Sequence, residues 1–130
     1  MKKKILLVDD DTDILQMLAP LLTEEGFDVD TAQNASDFHR KALRSRPDLI
    51  ILDIVLGEDQ GPSVYDALLA EGFNREVPVI FLSGLEEEHS FGTVSPGRHF
   101  VLHSKFISTK DLLKDVYALL DSSREVSKAR

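Results

Sequence analysis

Two short apolar runs that end at acidic residues constrain the fold of this chain more than any other feature. Ile5–Val8 leads directly into Asp9–Asp11, and Leu49–Leu52 ends at Asp53. Short continuous apolar runs are typical of strands that a parallel sheet buries on both faces. If these two strands are neighbours, at least three carboxylates meet at their C-terminal ends. Such a cluster requires a cation or a bound proton, so the pattern indicates a site for a divalent metal ion.

The composition is that of a single domain with one core. The chain has 130 residues, of which 42% are hydrophobic, enough to fold without metal or disulfide cross-links. Fifteen basic residues against 23 acidic ones give a formal net charge of -8. This charge opposes binding to a phosphate backbone, so we expect no direct nucleic-acid binding. Because there is no cysteine, disulfides and thiolate metal sites are excluded.

The first residues resemble the start of a signal peptide, but the required apolar segment is missing. Three lysines follow Met1, and only four apolar residues then precede Asp9. No stretch is long enough to span a bilayer, so we expect a cytoplasmic protein that does not contact the membrane. After Asp121 the chain has almost nothing to bury. The sequence therefore predicts one folded domain over residues 1–121 and a flexible tail or linker stub over 122–130.

Apolar runs alternate with stretches of helical periodicity, as in the strand-helix units of a parallel sheet. Strands are predicted near residues 4–9, 27–31, 48–53, 77–82 and 99–103. Helices are predicted from about residue 12 to Gly26, over 35–44, over 62–70 and from Ser108 onwards. A further helix between residues 86 and 97, which would be the fourth, is expected to be short or irregular because two glycines and a proline interrupt it.

Two of these helices carry capping patterns. Asp13 with Gln16 is a candidate capping pair for the first helix, and Ser108 with Asp111 for the last.

The hydrophobic patterns of the strands predict their order in the sheet. Strands 1, 3 and 4 are continuous apolar runs, whereas strands 2 and 5 alternate as edge strands do. This selects an α/β fold with a doubly wound, five-stranded parallel sheet of order 2-1-3-4-5, which is flavodoxin-like, with helices on both faces. Ligands of such sheets bind beyond the carboxyl ends of the strands where the winding reverses, which is where Asp9, Asp10 and Asp53 lie.

From Lys4 to about Leu120 the chain resembles the receiver domain of two-component response regulators. That family has an acidic pair after strand 1, a phosphate-accepting Asp after strand 3, a Ser or Thr after strand 4 and a Lys after strand 5. The corresponding residues are Asp9 and Asp10, Asp53, Ser83 and Lys105. Thirty residues separate Asp53 from Ser83 and 22 separate Ser83 from Lys105, which is close to the spacing of the family.

The resemblance implies a signalling phosphoacceptor rather than a turnover enzyme, with at most self-phosphorylation and self-dephosphorylation. Asp53 would accept a phosphoryl group from a histidine kinase or a histidine phosphotransfer protein, and a downstream protein or a fused output domain would respond. Mg2+ would be held by Asp9, Asp10, Asp53 and the backbone carbonyl of Val55. Lys105 would neutralise one phosphate oxygen, and the Ser83 hydroxyl would donate a hydrogen bond to another.

The chain also departs from the family at several positions. Phe106 follows Lys105 where the family has a proline after a cis bond, which predicts either a trans bond with a shifted lysine or a strained cis bond. Leu102 occupies the place of the aromatic switch residue, and Phe100 on the same strand face is a substitute for it. Gly57 stands where a proline is common, so we expect a looser loop there.

Three other interpretations compete with a working receiver. Asp9–Asp11 are also compatible with the start of a helix, where acids are favoured, and this applies most strongly to Asp11. A degenerate receiver would use the fold only to dock a partner. A haloacid-dehalogenase-like phosphatase would use Asp9 as nucleophile and Asp11 as general acid, but it would leave Asp53 without a role.

The first prediction concerns the lifetime of the phosphorylated state. Val55 and Leu85 lie two residues after Asp53 and Ser83, and both are apolar, whereas polar side chains at these places can orient an attacking water. We therefore expect slow self-dephosphorylation. The substitutions Val55→Asn and Leu85→Glu should hasten phosphate loss in a decay assay, and an unchanged rate would contradict the idea.

Overall fold

The structure is a computed structural model that describes residues 2–84, 100–104 and 108–128, with only the backbone described for 100–104 and 122–128. The strands of this part are β1 (Lys4–Val8), β2 (Asp28–Ala32), β3 (Leu49–Asp53), β4 (Val55–Leu56), β5 (Asp59–Gln60), β6 (Val79–Ser83) and β7 (Phe100–Ser104). The helices are α1 (Thr12–Glu24), α2 (Ala35–Ser45), α3 (Gly61–Ala70) and α4 (Thr109–Lys128).

Five strands form one parallel sheet in the order β2-β1-β3-β6-β7. Since β6 and β7 are the fourth and fifth predicted strands, the predicted order 2-1-3-4-5 is confirmed. The two alternating strands, β2 and β7, lie at the edges. The short strands β4 and β5 form a separate antiparallel hairpin that the sequence analysis did not predict.

The helices cover both faces of the sheet, as predicted. Successive side chains of a strand point to opposite faces, so each of the three central strands contributes to two cores. On one face, Leu6, Ile50 and Phe81 belong to a buried cluster with residues of α2 and α3. On the other face, Ile5, Ile51 and Ile80 belong to a cluster with residues of α1 and α4. This double coverage explains why the central strands are continuous apolar runs.

The helix caps confirm one predicted capping pattern and correct the other. The Ser108 hydroxyl accepts a hydrogen bond from the Asp111 amide at 3.2 Å, as the sequence predicts for α4. The predicted pair of Asp13 with Gln16 is wrong, because α1 begins at Thr12 and its N-cap is Asp11. The Asp11 carboxylate accepts a hydrogen bond from the Asp13 amide at 2.9 Å. Asp11 therefore belongs to the start of the helix.

The last helix is longer than expected. The backbone of α4 remains helical to Lys128, beyond Asp121, where the sequence predicts that the folded domain ends. Buried residues of the first part, such as Leu112 and Val116, fix the helix, and each further residue adds a hydrogen bond without a new nucleation cost. The domain boundary itself stays a prediction. The predicted irregular helix between residues 86 and 97 lies outside the described residues.

None of the helices in the described part of the chain combines the length and the apolar character needed to cross a lipid bilayer.

Gly61 lets α3 begin against the backbone of Asp53. A Cβ atom at Gly61 would lie 2.0 Å from the Asp53 carbonyl oxygen and 3.3 Å from the Ile54 Cα. Because both neighbours are backbone, neither can move without shifting the end of β3. The start of α3 and the position of Asp53 are thus fixed together.

We predict that Gly61→Ala lowers the free energy of unfolding by about 1–3 kcal/mol, the usual range for overpacking a filled site. Urea denaturation measures the change. Ser63→Ala is the matched control, because Ser63 is exposed in the same helix. Equal stability of the two variants would show that the contact at Gly61 is not restrictive.

Candidate metal centre

The sheet brings Asp9 and Asp53 to adjacent positions at the edge formed by the C-terminal ends of its strands, called here the carboxyl edge. Val8 of β1 is paired with Leu52 of β3, so the next residue of each strand is an aspartate. Backbone hydrogen bonds continue beyond the ends of both strands. The Asp9 amide donates to the Ala32 carbonyl at 3.1 Å, and the Ile54 amide donates to the Leu82 carbonyl at 2.9 Å. The two residues are therefore held by the sheet itself.

Asp10 joins these residues to complete a cluster of three carboxylates. One oxygen from each of Asp9, Asp10 and Asp53 lies within 4.8 Å of the others. The side chains of Asp9 and Asp53 are fully buried, whereas Asp10 is exposed. A buried carboxylate is costly unless its charge is compensated, and three like charges at this separation repel one another. The geometry favours a small cation that solvent can reach from the side of Asp10.

A backbone amide orients each carboxylate of the cluster. Oδ1 of Asp9 accepts from the Asp11 amide at 2.9 Å. Oδ1 of Asp53 accepts from the Val55 amide at 3.2 Å, and Oδ2 of Asp10 accepts from the Gly57 amide at 3.1 Å. A carboxylate has about four lone-pair sites on two oxygens, so each can accept an amide and still bind a cation.

The β4–β5 hairpin places the backbone of Val55 beside Asp53. Val55 is paired with Gln60 and Leu56 with Asp59, which leaves a two-residue turn at Gly57 and Glu58. Antiparallel pairs alternate between bonded and non-bonded types, and the pair next to a two-residue turn is bonded. Val55 and Gln60 are therefore a pair that exchanges no backbone hydrogen bonds, and the Val55 amide donates to Asp53. Because the amide and the carbonyl of one strand residue point to the same side, the Val55 carbonyl also faces away from β5.

The structure places Gly57 in a hairpin turn, and the looser loop expected there stays a prediction. Gly57 has a φ of 65°, and Arg46 is the one non-glycine residue with a positive φ in the described chain, so Glu58 has a negative one. A positive φ at the first central residue and a negative φ at the second are typical of a type II′ turn. Such a turn connects hairpin strands without splaying them. Glycine adopts this conformation without the strain that a side chain would add.

Ser83 ends β6 at the same edge of the sheet. Leu82 is paired with Asp53, and Ser83 is paired with Ser104 of β7. The Ser83 side chain is fully buried, and its hydroxyl oxygen has no hydrogen-bond partner within the part of the chain that the structure describes. A buried hydroxyl in this position gains from any ligand that offers it an acceptor.

Several sequence predictions concern residues outside the described part of the chain, or residues of which only the backbone is described. Lys105, Phe106 and Leu85 lie outside the described residues, so the role of the lysine and the isomer of its bond to Phe106 stay predictions. Phe100 and Leu102 belong to β7, for which only the backbone is described.

The structure adds two site residues that sequence reasoning did not assign to the site. Gly57 supplies an amide to Asp10, and Gly61 makes room for the carbonyl of Asp53. The signal for Gly57 was weak, because a glycine at the first central position of a hairpin turn is recognisable only when the flanking strands are long enough to detect.

Comparison with known proteins agrees with this arrangement. The model of the response regulator receiver domain family matches residues 5–116. The transcriptional regulatory protein PrrA of Mycobacterium leprae is 37% identical over 132 residues, covering 94% of this chain and 54% of that protein. The alkaline phosphatase synthesis transcriptional regulatory protein PhoP of Bacillus subtilis is 36% identical over 88 residues, covering 68% of this chain and 36% of that protein.

A solved structure shares the fold over nearly the whole chain. The response regulator receiver domain protein (CheY-like) of Methanospirillum hungatei has a TM-score of 0.81 and 26% identity, covering 96% of this chain and 98% of that one. By contrast, the chain spans about half the length of PrrA and 36% of the length of PhoP. The family match, the sheet order and the clustered carboxylates agree, and the chain belongs to the family of response regulator receiver domains.

Proposed function

We propose that this receiver domain is phosphorylated on Asp53 by a phosphohistidine donor, with Mg2+, and that phosphorylation changes its binding to a downstream protein. The observation that carries the proposal is the gathering of three carboxylates within 4.8 Å at the carboxyl edge, with Asp53 in the central strand β3. The donor is a histidine kinase or a histidine phosphotransfer protein, as the resemblance implies.

Asp53 is suited to be the nucleophile. Its side chain is buried, one oxygen is fixed by the Val55 amide, and the backbone is anchored between β1 and β6. A carboxylate attacks phosphorus once its negative charge and that of the donor are neutralised, and positioning supplies much of the remaining rate. As the bond from Asp53 to phosphorus forms, the bond from phosphorus to the donor imidazole breaks.

The residues around Asp53 fit Mg2+ better than a softer metal. The available ligands are the carboxylates of Asp9, Asp10 and Asp53 and the Val55 carbonyl, all hard oxygen donors. Mg2+ would neutralise negative charge on the transferred phosphoryl group. The exposed side chain of Asp10 leaves a solvent-facing side for waters and for the donor.

Two further residues would hold the transferred group. The buried Ser83 hydroxyl, which has no partner in the described residues, would donate a hydrogen bond to a phosphoryl oxygen. That new bond would exist only in the phosphorylated state, and it would therefore give the two states different structures near β6. Lys105 is proposed, on the family resemblance, to neutralise a second oxygen.

The phosphatase alternative is disfavoured by the position of Asp11. That mechanism needs Asp11 as the general acid, but the Asp11 carboxylate is exposed and caps α1 through the Asp13 amide. Asp53 rather than Asp11 completes the carboxylate cluster. A receiver that only docks a partner would not require this cluster, and phosphorylation of Asp53 in vitro would distinguish the two.

The 130 residues of this chain correspond to only part of the curated relatives. Curated relatives are named as transcriptional regulators, but this chain spans about half of PrrA. The prediction of no direct nucleic-acid binding therefore applies to these 130 residues, and the comparisons do not support it for a longer protein. A fused output domain, a cytoplasmic location and self-phosphorylation with small donors are parts of the same proposal.

The main prediction is a covalent phosphoryl group on Asp53. Incubation with acetyl phosphate and Mg2+, followed by intact-mass analysis, should show one added phosphoryl group in the wild-type protein and none in Asp53→Asn. Asp59→Asn is the matched control, because Asp59 is an exposed acid in the adjacent hairpin, and it should be labelled as the wild type is. Labelling of Asp53→Asn, or steady release of phosphate that requires Asp9, would contradict the proposal.

A second prediction concerns Mg2+ binding without any donor. A ligand that binds only the folded state at ten times its Kd should raise the free energy of unfolding by about 1.4 kcal/mol. Asp10→Asn should lose most of this gain, since it removes a charged ligand. Asp11→Asn should keep it, because asparagine is an equally good N-cap and Asp11 lies outside the cluster. A full magnesium response in Asp10→Asn would exclude Asp10 as a ligand.

A further inference from the structure

The β4–β5 hairpin contacts two of the three clustered carboxylates through alternate backbone amides. The Val55 amide donates to Asp53 at 3.2 Å, and the Gly57 amide donates to Asp10 at 3.1 Å. Residues two apart in an extended segment present their amides to the same side, so one short segment reaches both acids. Asp10 follows β1 and Asp53 ends β3, and the hairpin is a direct backbone bridge between them.

The hairpin is anchored by the residue between these two amides. The Leu56 side chain is 2% exposed and belongs to the core cluster on the α2 and α3 face. At the end of the hairpin opposite the turn, the Gly61 amide donates a hydrogen bond to the Ile54 carbonyl. The amides are therefore held from both sides rather than carried on a free loop.

Glycine meets both requirements at position 57 without strain. Its φ of 65° lies in the left-handed region, where other residues are strained, and its amide must be present to donate to Asp10. Proline, which fixes φ near -65° and has no amide hydrogen, fails on both counts. Space is not the constraint, since a Cβ at Gly57 would have no heavy atom within 4 Å.

We propose that Gly57 is a positioning residue whose amide holds the Asp10 carboxylate in the orientation that binds Mg2+. This inference rests on the proposed function, because it assigns to Gly57 a part in the same metal site. Asp10 is the exposed member of the cluster, so its side chain would otherwise sample several rotamers. The bond uses one lone pair of Oδ2, and the remaining lone pairs of the carboxylate would stay available to bind the ion. Ordering this side chain before the ion arrives lowers the cost of binding.

Magnesium titration by calorimetry, with the full chain and no phosphoryl donor, tests the proposal. Gly57→Pro should weaken magnesium binding by about tenfold, the order expected when a hydrogen bond to a charged group is lost. Gly57→Ala keeps the amide and should stay within about threefold of the wild type, because only backbone strain is added. Gly72→Ala is the matched control, with a φ of 100° and open space at a site away from the carboxylates.

The outcomes separate this inference from the proposed function. Binding by Gly57→Pro within twofold of the wild type, or equal weakening in Gly72→Ala, overturns the inference alone. A wild-type protein that does not bind Mg2+ overturns the inference together with the metal site.

A second measurement decides the matter if Gly57→Pro fails to fold. In the metal-free protein, hydrogen exchange at the Gly57 amide should be slow and should accelerate about fivefold or more in Asp10→Ala, because the acceptor is removed. Asp13→Ala, which alters an exposed acid of α1 outside the cluster, should leave that rate unchanged. An equal rate in the wild type and Asp10→Ala would overturn the proposal.

Discussion

Repulsion among three carboxylates at the carboxyl edge is the constraint on which the rest of this structure depends. Asp9 and Asp53 are fully buried, and one carboxylate oxygen of each of these residues and of Asp10 lies within 4.8 Å of the other two. Such an arrangement is unfavourable by itself, and a fold retains it only when the surrounding elements impose it. Here the sheet register and the hairpin amides impose it, and a divalent ion would turn the repulsion into attraction.

Burial of apolar side chains elsewhere in the fold offsets the free-energy cost of the carboxylate cluster. Three central strands are buried on both faces, and their apolar side chains build two cores against four helices of the described chain. Because the cost of the acids is local and the cores lie along the length of the strands, the acids can be placed at the strand ends without disturbing the packing. The apolar part of each strand therefore builds the scaffold, and the acidic residue at its end belongs to the site.

The sequence predicted the scaffold well because hydrophobic burial leaves a strong pattern. Ile5–Val8 and Leu49–Leu52 could be recognised as buried neighbours, and the acids that follow them were therefore expected to meet. The predicted strand bounds differ from the observed ones by one or two residues, as for β6, which begins at Val79 rather than at residue 77. Strand ends depend on individual hydrogen bonds that the hydrophobic pattern does not encode.

The details of the site were harder to predict because they depend on backbone geometry. Asp11 instead of Asp13 caps α1, since the cap is set by where the helix begins. Gly57 has a positive φ that suits a hairpin turn, and the two-residue strands beside it are too short to predict that hairpin from the sequence. Gly61 carries no side chain at all, and its role became visible only from the approach of the Asp53 carbonyl. These glycines contribute a positive φ at one position and a close approach of two backbone segments at the other, and neither leaves a pattern in a single sequence.

The most direct test of the account is to locate the ion. Crystals soaked with Mn2+, which prefers the same oxygen ligands and gives an anomalous signal, should show one peak bonded to the carboxylates of Asp10 and Asp53. Metal–oxygen distances slightly longer than about 2.0–2.1 Å, the range typical of Mg2+, are expected, because Mn2+ is the larger ion. A saturating soak with no peak at this cluster, or a basic side chain placed between the three carboxylates, would contradict it.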